Sequence, residues 1–211
     1  MNLSKPLTSL IPSLEGDVLS VLAGAEADFT GQQVHRVLGK NSQTGVNRAL
    51  QRLSATGIVN MRSSGNSNLY ELNREHLLAK YVIAVANVRA EFFRLMSQEV
   101  TSWELHPECV AVFGSAARSD MTSDSDIDVF ISRPAEIEFG DTAWRRQLTE
   151  FSLKVGRWTG NGVNAFEVGP KDVKRELGTK DGVLYSIIDQ GVVTFGPPDY
   201  LRKLRSRKEA K

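Results

Sequence analysis

The sequence predicts an α+β protein made of two parts. The first part has three segments with helical spacing of apolar residues, followed by two strand-like runs. The second part mixes strand-like and helix-like segments, which is the pattern of a mixed sheet covered by helices. A long segment with helical spacing lies between the two parts and is expected to connect them.

Three helices are predicted in the first part. Their apolar residues recur every three or four positions over residues 12–22, 30–38 and 42–55. Thr30 and Gln33 have the spacing of a capping box, in which each side chain bonds to the backbone N–H of the other residue. Ser42 is a residue type that caps helices, and Gly57 is a type that ends them.

A hairpin is predicted after the third helix, because strand-like residues 58–62 and 69–72 flank a polar turn. This order of elements is that of a winged helix-turn-helix, and residues 8–75 resemble bacterial repressor-type domains of that class. The resemblance implies that the third helix enters the major groove of DNA. Winged helices also serve as protein-contact modules, so that use stays open.

The charges of this part favour nucleic acid, because every charged residue between Thr30 and Asn68 is basic. The acids of the first part that come before this stretch lie between Glu15 and Asp28. The basic candidates for DNA contact are Arg36, Lys40, Arg48, Arg52 and Arg62. The candidates for reading base edges are Gln43, Thr44, Asn47 and Gln51.

Four regions are expected along the chain: 1–75, a connecting helix at 76–101, a second domain at 102–199, and a basic tail at 200–211. The apolar stripe of the connecting helix fits packing on both domains, and it also fits the seam of a homodimer. The tail is expected to be a solvated, frayed end.

In the second part, strands are predicted at residues 110–113, 127–131, 163–168 and 192–195. Helices are predicted at 142–158, 172–177 and 182–189, and a short one after Gly114. The expected fold of this part is a small mixed sheet with helices packed against it.

Two aspartates mark the chemistry of this part. Asp126 and Asp128 are two residues apart at the start of a strand, so they lie on one face and repel each other unless a cation lies between them. Mg²⁺ prefers carboxylate and phosphate oxygens, so this cation is predicted to be Mg²⁺ brought with a nucleotide. Gly114 allows close approach of a triphosphate, and Ser115 offers a hydroxyl.

Residues 100–197 resemble the nucleotidyltransferase superfamily of DNA polymerase β, especially its minimal branch. The pattern is Gly114-Ser115, Arg118, and then Ser125-Asp126-Ile127-Asp128 before an apolar strand. The resemblance implies a nucleotide site at Gly114, Ser115, Arg118 and Ser125, with ATP as the expected donor. It also implies one or two Mg²⁺ ions on Asp126, Asp128 and a third carboxylate from a later strand.

Glu167 is the only acid on that later strand and is the expected third ligand or base. A shifted register would put Asn164 there instead, and an amide is neither a base nor an anionic ligand. A second departure is Ser119, where the family usually has Gly after the Arg.

The predicted function is Mg²⁺-dependent transfer of a nucleoside monophosphate to a hydroxyl of a protein or an RNA, together with DNA binding for autoregulation. The alternative is a transcription regulator that senses a nucleotide without catalysis. With 41% hydrophobic residues, a net charge of +1 and one cysteine, Cys109, the chain is expected to be globular, without an intrachain disulfide. Neither a signal peptide nor a membrane span is predicted, so the expected location is cytoplasmic.

Overall fold

The computed structural model describes residues 1–170, 172–173 and 183–209. The chain divides into two compact units: the N-terminal unit comprises mainly Ser4–Arg89, and the C-terminal unit begins essentially at Ala90. Across these described residues, no helix combines the length and the apolar character that crossing a membrane requires.

The N-terminal unit contains helices around a small antiparallel sheet. Its elements are α1 (Pro6–Leu10), α2 (Leu14–Ala23), β1 (Phe29–Thr30), α3 (Gly31–Leu38), α4 (Gln43–Ala55), β2 (Val59–Ser64), β3 (Ser67–Leu72) and α5 (Ala79–Ala86). Strand β3 lies between β1 and β2, and it pairs with both in antiparallel register.

The capping predictions for this unit are confirmed. Thr30 and Gln33 form the reciprocal capping box of α3, and the Ser42 side chain accepts from the N–H of Gly45 at the start of α4. The hairpin strands are longer than predicted, because pairing extends to Ser64 and Ser67 and leaves a two-residue turn at Gly65. Interstrand hydrogen bonds therefore order serine and asparagine residues that composition alone marks as turn.

Apolar faces of α2, α4 and the sheet form the core of this unit, in which Val18, Leu22, Val46 and Leu50 are completely buried. Helix α5 packs on the same core through residues that include Val82, Ile83 and Val85. The stretch expected to be one connecting helix therefore begins as part of the N-terminal unit.

That stretch is two helices, because α5 ends before Asn87 and α6 (Val88–Thr101) begins after it. Asn87 closes α5 by donating its backbone N–H to the carbonyl of Ile83. Asparagine is a weak helix former, since its side chain competes for backbone partners. The residues buried on α6 are Phe92, Met96 and Val100.

The C-terminal unit is a four-stranded sheet with helices. After α6 its elements are β4 (Cys109–Phe113), α7 (Gly114–Arg118), β5 (Ile127–Ser132), α8 (Thr142–Thr159), β6 (Val163–Val168), α9 (Val183–Gln190), β7 (Val192–Phe195) and α10 (Tyr200–Glu209). The strand order is β6-β5-β4-β7; β5 and β6 are parallel and the other pairs are antiparallel. The predicted α+β class with a mixed sheet is confirmed. The helix predicted at 172–177 lies almost entirely outside the described residues.

One face of the sheet packs on the last two helices. Phe113 and Phe130 form a buried cluster with Leu184 of α9 and with Leu201 and Leu204 of α10. The tail expected to be frayed is therefore helical to Glu209, because apolar residues anchor its first turns in the core.

Candidate active site

The paired aspartates lie where the end of β4 meets the start of β5. The antiparallel register pairs Phe113 with Asp128, so Gly114, the next residue, lies beside the Asp128 carboxylate. Asp126 comes two residues earlier and lies towards the same face. The structure therefore brings Gly114, Asp126 and Asp128 together at one edge of the sheet.

Two glycines make room for the two carboxylates. Gly114 has φ +66°, and a Cβ on it would lie 2.3 Å from Oδ2 of Asp128. A Cβ on Gly162, before β6, would lie 2.3 Å from Oδ1 of Asp126. Each carboxylate thus lies directly against a backbone that only glycine provides. The role of Gly162 was not predicted from sequence.

Asn164 bridges the two aspartates. The parallel register pairs Asp128 with Asn164. The Nδ2 of Asn164 donates to Oδ2 of Asp126 and to Oδ1 of Asp128, both at 3.2 Å. The position for which the sequence left two alternatives open is therefore occupied by the amide.

The structure corrects the expectation for Glu167. Glu167 pairs with Ile131 in the register, so it lies on the opposite face of the sheet from Asp128 and Asn164. Its Oε1 accepts from Nε of Arg133 at 2.6 Å, and the Arg133 side chain is only 9% exposed. Glu167 is thus the partner of a nearly buried arginine and does not reach the aspartates.

The loop before Asp126 is held by Asn161, which sequence reasoning missed. Asn161 is buried, and its Nδ2 donates to the carbonyls of Ser123 at 3.0 Å and Ser125 at 2.9 Å. The Ser125 hydroxyl accepts from the N–H of Thr122 at 3.0 Å, so it orders the loop itself. The signal that could have found Asn161 is the run Gly160-Asn161-Gly162 between a helix and a strand.

The other predicted nucleotide residues lie on α7. Ser115 is half-buried in its first turn. Arg118 ends the helix and donates to Oδ2 of Asp120 at 3.1 Å and to Oε1 of Gln190 at 2.9 Å. The next residue, Ser119, has φ 64°, a left-handed conformation in which glycine would be unstrained.

The donor set fits one cation bound together with phosphates. Asp126 is exposed and Asp128 is half-buried, so both carboxylates are reachable from solvent. In the parts of the chain described here, no group of three or more His, Cys, Asp or Glu side chains could hold a metal ion. Two carboxylates with nucleotide phosphates are a sufficient set for Mg²⁺, which keeps several waters.

Three of the residues predicted to contact DNA line a polar cleft in the N-terminal unit: Gln43, Asn47 and Gln51. The cleft lies between the start of α3, the outer face of α4 and the hairpin. Amides that line it are Gln32, Gln43, Asn47, Gln51, Asn66 and Asn68. Nε2 of Gln43 donates to Oδ1 of Asn47 at 3.1 Å, so these two side chains orient each other. Thr44 is exposed on the same helix.

Most of the predicted basic surface is paired with acids from earlier in the chain. Nε of Arg52 contacts Oε1 of Glu15 at 2.6 Å, and Nε of Arg62 contacts Oδ1 of Asp28 at 3.3 Å. Lys40 lies 3.9 Å from a carboxylate oxygen of Asp17. The expected one-signed surface is therefore partly neutralised.

Two of the basic candidates, Arg36 and Arg48, are exposed and make no ion pair with any residue that the structure describes. On the acidic side, the Ser13 hydroxyl and then the Arg52 guanidinium lower the pKa of Glu15, which favours its charged form. The positive charge left for phosphates is thus concentrated at Arg36 and Arg48.

Comparison with known proteins gives a match for the part of the chain that carries the paired aspartates. Residues 97–182 match the family described as nucleotidyltransferase domain, and a nucleotidyltransferase domain occupies this part of the chain. No curated protein gives a significant match.

Two solved structures illustrate partial similarity to this chain. One is a toxin–antitoxin with AMP-PNP, 13% identical, covering 56% of this chain and 84% of that chain with a TM-score of 0.39. Another is a tri-AMPylated Shewanella oneidensis HEPN toxin in complex with MNT antitoxin, 10% identical, covering 58% and 84% with a TM-score of 0.37. Sequence identities and TM-scores this low do not identify the substrates or partners of this chain.

Proposed function

We propose that the nucleotidyltransferase domain of this chain transfers a nucleoside monophosphate from an NTP, with ATP as the first candidate, to an acceptor hydroxyl. The observation that carries this proposal is the Asp126–Asp128 pair, in which Asp128 lies against Gly114 and Asp126 lies against Gly162. The acceptor oxygen bonds to the α-phosphorus, the bond from that phosphorus to the bridging oxygen breaks, and pyrophosphate leaves with the electron pair. The hydroxyl proton is released.

The side chains have separate tasks. Asp126 and Asp128 would hold the Mg²⁺ that arrives with the triphosphate, and the ion would neutralise phosphate charge and fix the phosphates in place. Gly114 gives the triphosphate access to the backbone, and Ser115 adds a hydroxyl donor. Arg118, oriented by Asp120 and Gln190, adds positive charge beside the phosphates.

The acceptor hydroxyl loses its proton to one of the two aspartates or to water. Glu167 is occupied by Arg133 on the other face, and Asn164 carries no basic group. Among the described residues, no third carboxylate joins the pair.

A macromolecular acceptor, either a protein or an RNA, suits this site best. Asp126 and Asn164 are both exposed, so the edge of the sheet that carries them is open. A hydroxyl presented on the surface of a large partner can therefore approach the aspartates.

The test is an incubation of the purified protein with Mg²⁺, each α-labelled NTP and a cell lysate, with pyrophosphate release followed in parallel. We expect label on a protein or RNA band with one preferred NTP, and none with the Asp126→Asn/Asp128→Asn variant. The alternative, a nucleotide sensor without turnover, is favoured by the amide at position 164. It predicts a nucleotide-induced thermal shift without pyrophosphate release or label.

We further propose that the N-terminal unit acts as a winged helix that binds duplex DNA through α4 for autoregulation. The amide cleft beside α4 supports this, because Asn and Gln side chains pair with the N6 and N7 positions of adenine. Arg36 and Arg48 supply phosphate contacts. A two-fold site bound by a homodimer would double these few contacts.

The DNA test is a salt titration of binding to the segment upstream of the gene, compared with random duplex. Binding with a preference for the upstream segment is expected. Absence of binding to either duplex at low salt, with and without nucleotide, would leave this unit as a protein-contact module.

A further inference from the structure

Asn164 stands where it can control how many cations the aspartate pair accepts. Its single amide nitrogen carries two hydrogens, and each is directed to a different carboxylate at 3.2 Å. A neutral donor placed between two like charges offsets their repulsion without adding charge of its own. The pair is thereby held together without needing a cation.

The residue at position 164 also determines the charge of the site when nucleotide and cation are bound. Within the described part of the chain, Asp126 and Asp128 are the two anionic protein ligands for a divalent ion, and a second ion would have to share them. A carboxylate at position 164 would lie on the same face as Asp128, because the strand register pairs these two residues. It would add both a third negative charge and a ligand.

We propose that Asn164 is a positioning residue that bridges the aspartate pair before nucleotide binds, and that the site takes up only one divalent cation with the nucleotide because position 164 supplies no third carboxylate. This inference rests on the proposed nucleotide transfer. With a cation on Asp126 and Asp128, the amide would release the two carboxylate oxygens. Rotation about the bond from Cβ to the amide carbon would allow Asn164 to offer Oδ1 instead of Nδ2.

The experiment counts bound Mn²⁺, a spectroscopic substitute for Mg²⁺, by electron paramagnetic resonance, with and without a non-hydrolysable ATP analogue. The wild type should hold one Mn²⁺ with the analogue and bind Mn²⁺ weakly alone. Asn164→Asp should hold two ions with the analogue and bind Mn²⁺ alone about tenfold tighter, because affinity for hard cations rises with the number of charged ligands. Gln98→Glu adds the same charge on an exposed part of α6 and should behave as the wild type.

A second variant separates the bridge from the charge. Asn164→Ala should still hold one ion with the analogue, but its metal-free melting temperature should fall, because the carboxylates lose their shared donor. Asn164→Asp should also melt lower without metal and recover when Mn²⁺ is added. Both melting curves show in addition whether each variant is folded.

Two bound Mn²⁺ ions with the analogue, on either the wild type or Asn164→Ala, would overturn the inference. So would an Asn164→Ala variant whose metal-free melting temperature is unchanged, or an Asn164→Asp variant that binds Mn²⁺ like the wild type. If the wild type binds no analogue, the proposed transfer fails. The Mn²⁺ titrations without nucleotide then still decide whether position 164 sets the affinity of the pair for cations.

Discussion

Replacing Gly114 by Ala should abolish cation-dependent nucleotide binding at a modest cost in stability. At φ +66° an alanine adopts the left-handed conformation, which costs about 1–2 kcal/mol. Its Cβ would lie 2.3 Å from Oδ2 of Asp128, closer than real Cβ contacts, so the carboxylate must move. Asp128 can rotate at small energetic cost, but it then leaves Asn164 and the cation position.

Gly160→Ala is the matched control for this variant. Gly160 lies in the same unit with φ +72°, and a Cβ there meets nothing within 4 Å. Both variants should therefore melt about 2–8 °C lower than the wild type, the shift expected for 1–2 kcal/mol. Isothermal titration with Mg²⁺ and a non-hydrolysable ATP analogue should show loss of binding only for Gly114→Ala. Equal affinity of the two variants would refute the close approach between Gly114 and the nucleotide site.

Three further variants probe the remaining assignments. Asp126→Asn/Asp128→Asn should lose Mg²⁺-dependent nucleotide binding while the fold survives; unchanged affinity in a titration would contradict the metal assignment. Glu167→Gln should keep nucleotide affinity and lower the free energy of unfolding by about 1–3 kcal/mol, because its arginine loses a charged acceptor. Loss of nucleotide transfer in a folded Glu167→Gln protein would show that Glu167 takes part in catalysis. Arg48→Ala should flatten the slope of log K for DNA against log salt by about 0.9, whereas Arg52→Ala, which removes an arginine already paired with an acid, should flatten it less. Equal slopes would mean that this ion pair opens on DNA.

Local signals were enough to predict much of the fold. The cap at Ser42 and the capping box at Thr30 fixed two helix starts correctly, because these bonds span only three residues. That Asp126 and Asp128 lie close together was also predictable, since strand alternation is a local property.

Which residue lies beside the two aspartates could not be predicted from local sequence. Asn164 and Glu167 are three residues apart, so they lie on opposite faces, and only the pairing of β6 with β5 determines which of them meets Asp128. The acids that neutralise Arg52 and Arg62 are likewise more than thirty positions away in the chain. A run of basic residues therefore overstates the basic surface that the fold presents.

The break at Asn87 has a practical consequence for dividing the gene. A fragment that stops at residue 75 removes α5 and leaves bare the core surface that Val82, Ile83 and Val85 cover. Such a fragment would tend to aggregate whatever its ability to recognise DNA. A boundary at the turn instead keeps α5 with the core on which it packs and starts the other fragment at the first residue of α6. This boundary lies next to the point at which the two compact units divide, between Arg89 and Ala90.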